Sequence, residues 1–285
     1  ATSATAQPIT EWTANNGQLI LQGVPEIPDN LVVRLNQYQN VRSAGFLDWT
    51  HDGKGIFIRT RFGEVSQLHR VQAPGAIRQQ LTWYGEPIGQ VVKRPRHRTL
   101  SITMDQGGGE MDQIFLFDPK NASTRQLTNG QSRNRLVRWT DDGRRMAWQS
   151  TRRNGRSNDV WWMEPERPES AELLVEAPEG SWFGPADFSD NGHYLLVQQF
   201  TSVDDSRVYV LNLESRELRL MAGSEELPSA NKALSFDRRG KGVFFITNSN
   251  GRAAELAWQP LDETAPTEYI TAGSPWDVSG FAVSS

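Results

Sequence analysis

The sequence predicts an all-β chain, a β-propeller of four-stranded antiparallel blades with five full repeats and the start of a sixth. Three landmarks with no common composition carry that prediction by keeping one period. An apolar residue opens a short β-prone run at Leu68, Ile114, Val160, Val208 and Leu256, in steps of 46, 46, 48 and 48 residues. A Leu or Ile closes each unit at 81, 127, 174, 220 and 270, in steps of 46, 47, 46 and 50. An aromatic followed by a polar turn ending in glycine recurs from Trp49 to Gly53, Trp139 to Gly143, Phe188 to Gly192 and Phe236 to Gly240. The unit between the first two carries Arg94-Pro95-Arg96-His97-Arg98 where the turn belongs, and reads as a degenerate copy. A 40 to 50 residue period of four short strands is the sequence signature of a propeller blade.

The elements follow in order. Residues 1–40 form a lead-in. Its first seven, Ala1 to Gln7, are small and polar like the surroundings of a signal-peptidase site, so a periplasmic or secreted location is expected, with a cytoplasmic one as the alternative. Gln18-Leu19-Ile20-Leu21 is a candidate strand for closing the propeller. A short helix is predicted over residues 31–38, started by Asp29 or Asn30 after Pro28, with Leu31, Leu35 and Tyr38 on one face. Blades are expected at about 41–86, 87–133, 134–181, 182–230 and 231–275. The third shows the grammar: residues 135–139 alternate, Asp141-Asp142-Gly143 turns, and 146–149 return. The polar hairpin 152–156, the β-prone Val160-Trp161-Trp162-Met163 and then Leu173-Leu174-Val175 complete the unit. Residues 278–284 look like the innermost strand of a sixth blade, cut short of its turn. The expectation is that the polypeptide is the front part of a longer protein.

Composition narrows the chemistry. The 285 residues are 37% hydrophobic and 22% charged, in the ordinary globular range, and 30 Lys+Arg against 34 Asp+Glu leave a net charge of -4. That balance lacks the positive field a nucleic-acid partner needs. With no cysteine, disulfides and thiolate chemistry are excluded, and four scattered His (51, 69, 97, 193) form no metal motif. No metal and no cofactor are expected. No run of 18 apolar residues occurs, so no membrane-spanning helix and no membrane partner are expected.

Several segments read along the chain carry a family resemblance. Pro25-Glu26-Ile27-Pro28, the stretch from Leu31 through Arg34-Leu35-Asn36-Gln37-Tyr38 to Ala44, and Thr60-Arg61-Phe62-Gly63 with Gln67-Leu68-His69-Arg70-Val71 resemble the amino-terminal propeller of the prolyl oligopeptidase family. They are similar in particular to bacterial dipeptidyl aminopeptidase or acylaminoacyl-peptidase-like members. The glycine-rich hairpin at residues 105–113 and the hairpin at 150–156 match as well. The resemblance implies a two-part serine peptidase in which the propeller restricts access to an α/β-hydrolase domain bearing Ser, Asp and His. It implies as partners a peptide substrate and that C-terminal α/β-hydrolase domain. This chain has no G-x-S-x-G; Gly130-Gln131-Ser132-Arg133-Asn134 lacks the closing glycine. No catalytic residue is therefore assigned, and the chain alone is not expected to hydrolyse peptides. The alternative is a stand-alone periplasmic propeller of the Tol type, binding protein or peptide.

Other candidate sites are weighed against plainer explanations. Gly107-Gly108-Gly109 opens no helix and is followed by no G-K-[ST], so a hairpin tip is favoured over a phosphate cradle. Asp105, Glu110 and Asp112 lack calcium-loop spacing. Glu225-Glu226 resembles the paired acids with which dipeptidyl peptidases hold a substrate amine, without the surrounding motif. The basic run Lys93, Arg94, Arg96, His97, Arg98 reads as a solvated turn before it reads as a docking patch. The tryptophans read as packing residues before carbohydrate platforms. If a binding surface exists, it belongs on the loops between the second and third strands of each blade, roughly 59–66, 103–112, 150–158, 199–207 and 247–255. In the resembled family this face meets the hydrolase domain and the substrate cavity, where arginine can hold a peptide carboxylate or carbonyl, and on it Arg61, Glu110 and Arg153 are the predicted substrate-binding residues.

Overall fold

The computed structural model describes residues 9–251, 253–262 and 264–282, and the chain divides into two compact units, 1–43 and 44–285. The leader-like residues 1–7 lie outside the described residues.

In the first unit, β1 (Glu11–Ala14) and β2 (Leu19–Gln22) form an antiparallel hairpin around Asn15-Asn16-Gly17, all at positive φ. The segment expected to close the propeller thus pairs with its own neighbour. Closing a four-residue loop costs far less chain entropy than meeting a strand some two hundred residues away. The helix α1 (Asp29–Gln39) is present, but Pro28 rather than Asp29 or Asn30 holds the cap position. Its carbonyl accepts from the Leu31 and Val32 amides, and its fixed φ of -60° suits a helix entrance. No helix residue is buried.

The second unit is five four-stranded antiparallel sheets, each with its strands in sequence order. Blade 1 is β3 (Ala44–Trp49), β4 (Ile56–Thr60), β5 (Gln67–Val71) and β6 (Gln79–Gln80). Blade 2 is β7 (Ile88–Lys93), β8 (Leu100–Met104), β9 (Gln113–Asp118) and β10 (Ser123–Gln126). Blade 3 is β11 (Asn134–Trp139), β12 (Met146–Ser150), β13 (Asp159–Glu164) and β14 (Arg167–Val175). Blade 4 is β15 (Trp182–Phe188), β16 (Tyr194–Ser202), β17 (Asp205–Asn212) and β18 (Leu218–Ala222). Blade 5 is β19 (Asn231–Phe236), β20 (Gly242–Thr247), β21 (Glu255–Pro260) and β22 (Glu268–Tyr269). Of the expected sixth blade, residues 278–282 form no strand. The Val278 amide donates to Ala254 O at 2.8 Å and the Phe281 ring lies 4.8 Å from that of Phe244. An inner strand without a second strand to pair with has nothing to hold it extended. Residues 283–285 lie outside the described residues.

The core is divided into four layers, each between consecutive blades. Phe57 and Leu68 of blade 1 meet Ile88, Leu100 and Phe117 of blade 2. Ile114 and Leu127 meet Trp139, Met146 and Trp148. Val160 and Val175 meet Phe183, Phe188 and Leu211, and Leu196 and Val208 meet Phe236, Val243 and Phe245. The second strands of blades 2 and 3 therefore have both faces covered: all five residues of β8 and of β12 are buried. That is why these strands read as continuous apolar or small runs and not as alternation.

The turn between first and second strands repeats down to its hydrogen bonds. Thr50, Thr140 and Ser189 hydroxyls donate to Asp52, Asp142 and Asn191 at 2.6, 2.7 and 2.8 Å. Those side chains in turn accept the amides of Lys54, Arg144 and His193. The degenerate copy in blade 2 makes the same hairpin. Arg94 N reaches Thr99 O at 3.1 Å as Thr50 N reaches Gly55 O at 2.9 Å, and Arg96 takes the positive φ, 58°, without a glycine.

Candidate functional site

In a blade of this order, the loops between second and third strands and the links between blades emerge at one end. The first-to-second and third-to-fourth turns emerge at the other. The loop end is held by a polar residue at the first position of the third strand. In blade 1 it is Gln67, whose amide donates to Tyr84 O at 2.9 Å while its oxygen accepts from Thr82 Oγ1 at 2.7 Å and Tyr84 N at 3.1 Å. In blade 2 Gln113 repeats this, with Ser132 O, Thr128 Oγ1 and Gly130 N as partners. In blade 3 the position is Asp159, fully buried, which accepts the Ala177 amide at 2.8 Å and both Nε and Nη2 of Arg153 at 2.9 Å. In blade 5 Glu255 accepts Gly273 N at 3.0 Å. Blade 4 uses Ser206 and Asn231 instead: Ser206 Oγ donates to Asn231 O and accepts Asn231 N, both at 2.7 Å. Each clamp ties the exit of the outermost strand to its own third strand or to the next blade, so the loops between them stand on a rigid base.

The sequence reading found the apolar openers Leu68, Ile114, Val160 and Leu256 but missed the polar residue immediately before each one. The signal was present: Gln67, Gln113, Asp159 and Glu255 share the openers' period.

The structure distributes the three predicted binding residues over blades 1, 2 and 3. Arg153 is the clamp's cation. Besides Asp159 it donates to Ala177 O at 2.8 Å and pairs with Glu176 at 3.0 Å, so its guanidinium is committed within the blade. Glu110 stands at φ 57° on the tip of the β8–β9 hairpin. Its amide donates to Asp105, its carbonyl accepts Arg133 Nε at 3.0 Å, and its exposed carboxylate lies 3.8 Å from Arg133 Nη2. Arg61 is half-buried just past β4. Glu110 and Arg153 belong to separate networks.

Asp105 is occupied by the amides of Gln106, Glu110 and Met111, and Asp112 by Arg135 Nε at 2.7 Å, which accounts for two of the acids weighed as calcium ligands. Glu225 and Glu226 are exposed.

At the inner strands, side chains beside the β-bulges cross from blade to blade. Asp48 faces Lys93 at 3.6 Å, Gln90 Oε1 accepts Val137 N at 2.9 Å, Arg138 Nε donates to Ala186 O, and Asp187 accepts Phe236 N at 2.9 Å. Burial pushes the Asp187 carboxyl up to about 6, against the opposing pull of the Phe236 amide and of Arg138. Burial likewise lowers the Arg138 guanidinium, with Asp187 opposing.

At the turn end, the basic run of blade 2 is neutralised within the chain. Arg94, its side chain 4% exposed, donates to Gly143 O at 2.6 Å and forks onto Glu166 at 2.6 and 3.2 Å. Arg96 pairs with Asp141 and Arg98 with Asp118. The run is thus a latch from blade 2 onto blade 3. The clefts between turns at this end include one of about 700 Å³ between blades 1 and 2 and one of about 960 Å³ across blades 2 to 4.

The family described as prolyl oligopeptidase, N-terminal beta-propeller domain, matches residues 87–272. A search of curated proteins finds no match. Among solved structures, one from work on two prolyl endopeptidases and their inter-domain dynamics superposes with a TM-score of 0.68 at 12% identity, over 87% of this chain and 39% of that one. Prolyl oligopeptidase B from Galerina marginata, bound to a 35mer substrate, gives 0.62 at 12% identity over 94% and 46%. A structure described as TolB from Agrobacterium tumefaciens gives 0.56 at 14% identity over 80% of both chains. The chain spans less than half the length of the two prolyl-peptidase structures.

Proposed function

The chain belongs to the family of prolyl oligopeptidase amino-terminal β-propeller domains, and from that premise we propose that it is the non-catalytic propeller of a serine peptidase. In this reading it gates and grips peptides for an α/β-hydrolase domain supplied by the same parent protein. The observation that carries the reading is the family match over residues 87–272, blades 2 to 5, combined with a sequence that contains no G-x-S-x-G. A propeller without a presented serine contributes access control and positioning; the nucleophile and oxyanion hole must come from elsewhere. The loop end is the face proposed to meet the hydrolase domain. There Glu110, with its exposed carboxylate, is the stronger candidate for a peptide amine, and Arg61 for a carbonyl or carboxylate. Arg153 acts in this reading through Asp159, holding the base of the 150–158 loop. The small polar residues 1–7 favour export to the periplasm.

The second reading, a stand-alone propeller that binds protein or peptide, is favoured by the TolB likeness, which covers both chains equally. A fluorophosphonate probe separates the two. The 285-residue chain is expected to remain unlabelled, and a chain extended along its reading frame into a G-x-S-x-G is expected to label. Labelling of the 285-residue chain overturns the first reading, and a frame that stops without such a motif leaves the second.

A further inference from the structure

Every blade places a basic residue at the same point of its first turn. Lys54, Arg98, Arg144, His193 and Lys241 each precede the residue whose carbonyl closes the turn, and all five are exposed. Their fates differ according to what the neighbouring turns supply.

In the larger cleft the charges are matched. Arg94 is held by Glu166, Arg96 by Asp141, Arg144 by Asp142 and Arg145 by Glu164. Asp190 and Glu214 add two further carboxylates to its wall, against His97 and His193.

The cleft between blades 1 and 2 is built from equivalent turns and has the opposite balance. Lys54, Arg70, Arg98 and Lys120 line it, with Asp52 as the carboxylate in the wall. Arg98 is neutralised from behind by Asp118 at 2.6 Å. No ion pair joins Lys54 or Lys120 to a carboxylate among the described residues. Arg70 donates from Nη2 to Gln79 Oε1 at 2.8 Å, and its buried Nε–H has no acceptor. A guanidinium left under-satisfied where solvent is excluded lacks an acceptor that folded proteins ordinarily provide. In the wall of the cleft Lys54, Arg70 and Lys120 are opposed by the single carboxylate of Asp52, with Asp118 behind Arg98 also within reach of Lys120. The His51 imidazole at the same wall is pushed below its ordinary value by burial and then by Lys93, against the opposing pull of Asp48 and Asp52. The volume, about 700 Å³, suits a small molecule and not a bare ion.

We propose that this cleft binds a small multivalent oxyanion, a molecule carrying clustered phosphate or carboxylate oxygens, through Lys54, Arg70 and Lys120. Two ammonium groups from different blades and the Arg70 guanidinium line it, and an oxyanion in the cleft supplies acceptors for them. The site lies at the turn end, away from the face proposed for peptide handling, and stands independently of that reading.

Calorimetric titration of the intact chain with sodium pyrophosphate and, separately, sodium citrate tests it, each against sodium chloride at matched ionic strength. Saturable one-to-one binding in the millimolar range or tighter is expected from at least one salt; pyrophosphate alone identifies the phosphate source and citrate alone the carboxylate source. The double variant K54Q/K120Q, both exposed positions, is expected to weaken it about tenfold or more. R144Q, the same turn position in blade 3, is expected to leave it unchanged. Heat no greater than the chloride control from both salts, wild-type affinity in K54Q/K120Q, or an equal loss in R144Q overturns the proposal.

Discussion

Trp49 and Trp139 end the inner strands of blades 1 and 3 at the same register, opposite Ile56 and Met146. Trp139 is 8% exposed and Trp49 55%. Phe188 and Phe236, the same position in blades 4 and 5, are both 5% exposed. The difference lies outside the residue and its strand. The aromatic at this position packs back against the preceding blade: Trp139 joins Ile114 and Leu127 of blade 2 and donates its indole N–H to Ser101 Oγ at 3.2 Å. No blade precedes blade 1 among the described residues. Gly53 and Gly143 repeat the lesson in the turn that follows. Both sit at positive φ, 67° and 66°. A Cβ on Gly53 would meet nothing within 4 Å, whereas one on Gly143 would fall 2.2 Å from Pro95 O, because the blade 2 latch lies across it.

This contrast can be broken by substitution. The largest effect is expected from Trp139→Ala, about 3–5 kcal/mol by denaturant unfolding, against less than about 1 kcal/mol for Trp49→Ala. Equal costs at the two sites would mean that the blade interface is not what buries the ring. Next comes Asp159→Ala, expected to cost about 3 kcal/mol, since it leaves the Ala177 amide and the Arg153 guanidinium without their shared acceptor. Gln67→Ala, the neutral clamp of blade 1, is expected to cost about half as much.

Blade 4, flanked on both sides, extends the comparison to pH. The Asp187 carboxyl, raised to about 6 from an ordinary 3.8, binds its proton more tightly folded than unfolded. Its contribution is therefore complete below about pH 4 and is lost as pH rises through 6, with a total on the order of 2–3 kcal/mol. Unfolding midpoints measured from acid to neutral pH should fall across that window in the wild type and stay level in Asp187→Asn; parallel profiles would rule the account out. Modest effects are expected at the turn glycines. Gly53→Ala should cost about 1 kcal/mol for its backbone alone, and Gly143→Ala about twice that because Pro95 must also move. A Gly53→Ala cost equal to that of Gly143→Ala would show that the latch yields freely.

Much of the fold could be read from the chain because its determinants are local. The glycine turns, the apolar openers and the aromatic strand ends each act within a few residues of themselves, and each of the five repeats forms one four-stranded sheet. The candidate site was less legible. Arg153 reads as a free cation among polar loop residues, yet its partner Asp159 was legible only as the residue before Val160. Arg94 reads as part of a solvated turn, but its fork onto Glu166 joins residues 72 apart.

The order of strands within each blade and the turn chemistry were determined by the sequence alone, because backbone preference and hydrophobic spacing act over short stretches of chain. Which aromatic is buried, which arginine is neutralised and which lysine is left facing an open cleft were decided only by the tertiary structure. Burial and Coulomb attraction depend on what the adjoining blade places within a few ångströms, and no period in the sequence records that.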